Sequence, residues 1–152
     1  MKNQWKKRNN LNFYPKDIEV KLGFDKVKQL IIDRCLSSLG EDYVQRLAFS
    51  THAGHINEWM DQTREFIQIL TSGSSFPQSN YTDVSSSLKR AELPGNFLDE
   101  AELFEVKLVL ETLLKMTDFF QQHGDDYPIL AKRMSVLELD EKLHAALDQK
   151  ID

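Results

Sequence analysis

Six carboxylates, two histidines, one cysteine and a short run of basic residues are the side chains whose types and spacing invite chemistry. His52-Ala-Gly-His55 sets two imidazoles three residues apart, compatible with one helix face and with a divalent metal. Gly54 weakens that turn, however, and no third ligand accompanies the pair, so the sequence predicts two exposed histidines near a helix start. Asp99, Glu100, Glu102 and Glu105, with Asp125 and Asp126 further on, are acids of the kind that general acid–base work or a divalent ion requires. Catalysis needs such groups in a cleft with differing environments. Here Asp99-Glu-Ala-Glu102 has capping-box spacing, and its acids suit the positive end of a helix dipole. They read as caps and a solvated face. Cys35, the only cysteine, excludes an internal disulfide and any multi-thiolate site. With no neighbour to stabilise a thiolate, it reads as a buried, inert thiol. Phe119-Phe120 lacks the interleaved basic residues of a base-stacking surface and reads as core. Six scattered glycines include no Gly-rich turn followed by Lys and Ser or Thr, so no phosphate loop is present. The sequence therefore assigns no catalytic, cofactor-binding or metal-binding residue, and the chain is not expected to be an enzyme by itself.

Charge is distributed unevenly. Five of the nineteen basic residues and none of the twenty-four acids fall in the first sixteen positions, leaving a remainder with net charge −10. Residues 1–13 read as a basic flexible arm, in which Lys2, Lys6, Lys7 and Arg8 are the candidates for nucleic-acid contact. An acidic body repels phosphate backbones. The chain alone is expected to bind DNA or RNA weakly.

The elements that position these groups are helical. A length of 152 residues suits one domain, assigned to residues 14–152. No apolar run reaches the ~18 residues of a membrane span, no signal-peptide segment opens the chain, and a cytoplasmic location is expected. Tyr14-Pro15 opens ordered structure, with Ile18 and Leu22 one turn apart before Gly23. Asp25 is expected to cap a helix whose core face is Val27, Leu30, Ile31 and Cys35. Ser38-Leu-Gly-Glu41 has capping-box form for the next, with Tyr43, Val44 and Leu47 facing inward. A longer helix carries Ile56, Met60, Thr63, Ile67 and Leu70 at three-four spacing, widened by Trp59 and Phe66, and ends at Gly73. Residues 73–83 read as loop, residues 84–91 as a short helix, and Pro94-Gly95 as a type II turn. From Asp99, Leu103, Val106, Leu110, Leu113, Thr117 and Phe120 mark the strongest helix, which stops at Gly124. Tyr127-Pro128 starts a short helix, and residues 137–147 form a last one facing inward through Leu139, Leu143 and Ala146. With no convincing strand, the fold class is all-α, an irregular helical bundle.

The order of Tyr14-Pro-Lys16, Leu22-Gly-Phe-Asp-Lys-Val27, Cys35-Leu-Ser-Ser-Leu-Gly40, Phe49-Ser-Thr51, Leu88-Lys-Arg90 and Leu98-Asp-Glu-Ala-Glu-Leu103 resembles the N-terminal region of bacterial MutS-II type proteins. The resemblance covers nearly everything after residue 13. It implies a place in the helical core and lever region, at the N-terminus of a longer polypeptide whose DNA clamp, ATPase and Smr nuclease domains are absent from this chain. That parent would bind ATP and Mg, form a homodimer and act on branched DNA to suppress homologous recombination. Some members also act on stalled ribosomes. The chain itself would have no cofactor, and its partners would be the other MutS-like domains. The competing reading is a stand-alone helical interaction module without enzymatic activity.

Overall fold

The computed structural model describes residues 15, 17–79 and 81–150. Eight helices and no strand appear among them, so the fold class is all-α as the sequence predicts. Chain contacts define two compact units, one ending at Ala53 and the other beginning at Gly54.

The first unit contains α1 (Ile18–Lys21), α2 (Phe24–Ile32) and α3 (Ser38–Gln45). Two expected caps move by a residue or two. Gly23, at φ +72°, occupies the N-cap of α2, and Asp25 lies within its first turn instead of capping it. Ser37, with extended backbone, caps α3 by accepting from the Gly40 amide at 3.2 Å. That shift carries Glu41 one residue beyond the position from which its carboxylate could reach back, so the Ser38–Glu41 box does not form. Because α2 stops at Ile32, Cys35 lies past the helix and is half-buried.

The predicted core face of this unit is also revised. Val27, Leu30 and Ile31 are 47%, 57% and 42% exposed; Tyr43 and Leu22 are exposed as well, whereas Val44 is buried. Helices of four, nine and eight residues offer too little surface to enclose a stripe on every side. Polar contacts help hold α1 to α2: Lys28 reaches Glu19 at 3.5 Å while its ammonium lies over the Phe24 ring at 5.2 Å.

The second unit is built on α4 (Ala53–Thr71), α5 (Ser85–Ala91), α6 (Glu100–Gln122), α7 (Pro128–Met134) and α8 (Glu141–Asp148). At 1.5 Å per residue α6 is about 35 Å long, the spine of the unit. Its start forms as the sequence predicts: Asp99 accepts from the Glu102 amide at 2.9 Å, and the Glu102 carboxylate accepts from the Asp99 amide at 3.1 Å. It ends at Gln122 with His123 as C-cap, just before Gly124, where a Cβ would lie 2.9 Å from the Phe120 carbonyl oxygen. The Pro94 turn also forms, closed by the Asn96 amide on Leu93 O with Gly95 at φ +85°, as a type II turn requires.

Two apolar clusters lie along this spine. Ile69, Phe119, Phe120 and Tyr127 form one, flanked by Phe76, Leu130, Ala131 and Met134. Phe76 comes from the segment predicted as loop, and it meets Phe66, Phe119 and Phe120 edge-on at ring separations of 5.1–5.9 Å. The Thr112 hydroxyl fastens the same segment by donating to Ser79 O at 3.0 Å. The second cluster pairs Val106 with Leu147, beside Val84, Leu98 and Leu103.

The last helix begins at Glu141, not at residue 137, because Asp140 caps it by accepting from the Lys142 and Leu143 amides. This start turns Leu147 inward and leaves Leu143 45% exposed, against the expected face of Leu139, Leu143 and Ala146.

Candidate functional site

The apolar stripe of α4 lies on the outside. Met60, Ile67 and Leu70 of α4 are 58%, 54% and 51% exposed, and Trp59 is exposed beside them. Ile56, Trp59, Met60, Thr63, Arg64, Ile67 and Gln68 line a shallow, mainly apolar groove along this face. The expected inward face is thus the outward one. The side chains that α4 buries are Ile69, at 0% exposure, and Glu65.

Glu65 explains the orientation. Its two carboxylate oxygens accept from the amides of Ile129 at 3.0 Å and Leu130 at 2.8 Å, first-turn donors that α7 itself leaves unpaired. Pro128 at the helix start has no amide to satisfy. A buried charge is therefore matched by two donors and the positive end of a short helix. Nothing in the sequence near Glu65 signals this, since its partners lie 64 and 65 residues away.

The acids singled out in the sequence separate into distinct roles. Glu102, in the first turn of α6, links that helix to α5, accepting from Ser87 Oγ at 2.9 Å and pairing with Arg90 through its other oxygen. The Asp99 amide, then Arg90 and Ser87, holds its carboxyl below the usual glutamate range. Since the folded value is depressed, this stabilisation is complete above the unfolded glutamate value and is lost as pH falls through the folded one. The thermal midpoint is accordingly expected to drop between about pH 5 and 3, with a shallower drop in Glu102→Gln, measurable by circular dichroism melts. Glu100 and Glu105 are exposed, as are Asp125 and Asp126, the latter 3.5 Å from His123 Nδ1. His52 precedes α4 and His55 sits in its first turn, both exposed, with the His55 ring 6.1 Å from Trp59. Phe119 and Phe120 are buried core residues. Lys2, Lys6, Lys7 and Arg8, the candidate nucleic-acid contacts, lie outside the described residues.

One chemical constellation was not singled out in the sequence. Glu111 of α6 meets His144 and Asp148 of α8, with one ligand atom from each lying within 4.8 Å of the others. The i,i+4 spacing of His144 and Asp148 is visible in the chain, but the approach of Glu111 depends on how α6 and α8 pack. Lys107 donates to Asp148 Oδ1 at 2.9 Å, and this bond is the main reason the Asp148 carboxyl titrates below its usual range.

No helix among the described residues is long and apolar enough to cross a membrane. No protein-family model matches the chain, and no solved structure does. Curated relatives do match. Endonuclease MutS2 of Geobacillus sp. (strain WCH70) is 28% identical over 134 residues, 86% of this chain and 17% of that protein. Endonuclease MutS2 of Bacillus cereus (strain ATCC 10987 / NRS 248) is 32% identical over 129 residues, 80% of this chain and 16% of its own length. The chain is similar to MutS2. The protein of that name from Bacillus anthracis (strain A0248) matches at 31% over the same share. The chain spans about one sixth of the length of these curated MutS2 relatives.

Proposed function

We propose that this chain is the N-terminal part of a longer MutS2-like protein and serves there as a packing and coupling element. The observation that carries the reading is the exposed α4 stripe. A periodic apolar face of five positions is normally covered, and relatives of about six times this length contain the additional chain to cover it. On this reading the α4 face docks against the remaining core and lever helices. Closure of the parent's ATPase, loaded with ATP and Mg, then moves the clamp through this contact. The parent would be a cytoplasmic homodimer that binds branched DNA and restrains recombination, with a Smr endonuclease and, in some members, an action on stalled ribosomes. The acidic body argues that DNA is held chiefly elsewhere, and the basic residues Lys2, Lys6, Lys7 and Arg8 are a minor contact.

The test is the double substitution Met60→Lys with Ile67→Lys. Both positions are exposed, so the 152-residue chain is expected to change by no more than about 0.5 kcal/mol per site. In the longer protein, the effect of ATP on DNA affinity is expected to shrink by roughly 5–150-fold, the usual range of coupling between sites. Unchanged coupling would overturn the proposal. A reading frame that closes at Asp152, with the double variant losing a separate helical partner, would favour the stand-alone interaction module.

A further inference from the structure

The packing of α8 on α6 rests on the apolar pair Val106–Leu147 and on a polar group that nothing in the apolar contacts requires. His144 and Asp148 stand one helical turn apart on α8, and Glu111 faces them from α6. His144 Nδ1 lies 3.6 Å from Asp148 Oδ2. That separation is too long for a hydrogen bond. It is close to the ~3.4 Å that separates two donors on one tetrahedral ion with bonds of about 2.0–2.2 Å.

One further observation points the same way. The carboxylates are each held through one oxygen with the other left over. Lys107 takes Asp148 Oδ1 at 2.9 Å, and Lys115 approaches Glu111 Oε2 at 3.4 Å. Such outer contacts orient ligating carboxylates in metal sites.

We propose that Glu111, His144 and Asp148 form a binding site for one divalent transition-metal ion of the zinc class, which fastens α8 to α6. One nitrogen and two oxygen donors suit zinc and cobalt better than magnesium or calcium, which favour all-oxygen shells. The side chains of His144 and Asp148 are 21% and 46% exposed, and that of Glu111 is 33% exposed, so an ion can enter from solvent and keep a water as its fourth ligand.

The experiment is a calorimetric titration of Zn2+ into the metal-stripped 152-residue chain, repeated with Co2+ and read by visible absorption. Saturation near one equivalent, with the tetrahedral Co2+ bands, is expected. His144→Ala is expected to abolish binding. Should that variant lose helicity by circular dichroism, Glu111→Gln, at a more exposed position, carries the test and is expected to weaken binding at least about tenfold. His52→Ala with His55→Ala is expected to leave the titration unchanged. Failure to saturate, indifference to Glu111→Gln, or loss of binding in the His52/His55 variant would each overturn the site.

Discussion

Glu65→Ala is expected to destabilise the unit containing α4, α6 and α7 by about 2–4 kcal/mol, because the two amides that its carboxylate caps lose their charged acceptor. The carboxylate is 8% exposed and its oxygens account for the first two amides of α7. Alanine leaves two half-buried donors with no acceptor, and an unmade hydrogen bond costs the desolvation of its group. Glu65→Gln retains one carbonyl oxygen and is expected to lose about half as much. Urea denaturation followed by circular dichroism separates the variants. A loss below about 0.5 kcal/mol in Glu65→Ala, the range of ordinary surface substitutions, would show that α7 does not depend on this acceptor.

Ile69→Ala is expected to cost about 2–5 kcal/mol, because the side chain is wholly buried against Phe119, Phe120 and Tyr127 and leaves a cavity when shortened. Ile67→Ala, two residues earlier on the same helix, is expected to cost no more than about 0.5 kcal/mol, because that side chain is 54% exposed. The comparison tests which face of α4 is buried, independently of any longer protein. Equal losses at the two positions, measured in the same denaturation experiment, would mean that α4 is rotated relative to the orientation described above.

Local signals determine structure where the interaction spans few residues. Asp99 and Glu102 form their reciprocal cap because both partners lie within one turn, and Pro94-Gly95 turns because one φ must be positive. Where two serines adjoin, the choice of Ser37 over Ser38 depended on which residue stays extended before α3, a matter of a single backbone torsion. Helix faces are less legible in the sequence. The three-four pattern of α4 correctly marks an apolar side, but periodicity says that a side is apolar and not what covers it. The buried side of that helix was decided by Glu65, whose acceptor role exists only once Ile129 and Leu130 have come alongside. Among the candidate chemical groups, Phe119 and Phe120 lie in the core as read. Glu111, His144 and Asp148 come together from two helices whose sequence separation hides them.

By itself the sequence determined the class of fold, the principal helix with its cap and stop, and a likeness to MutS2 carried by the order of short helical segments. These are consequences of backbone torsions and of hydrogen bonds made within a turn or two. The tertiary structure alone decided that Glu65 is buried and Met60 exposed, that Phe76 belongs to an aromatic core, and that a histidine and two carboxylates converge on one point. Burial and convergence depend on desolvation and packing between elements distant in the chain, and no local pattern of residues contains that information.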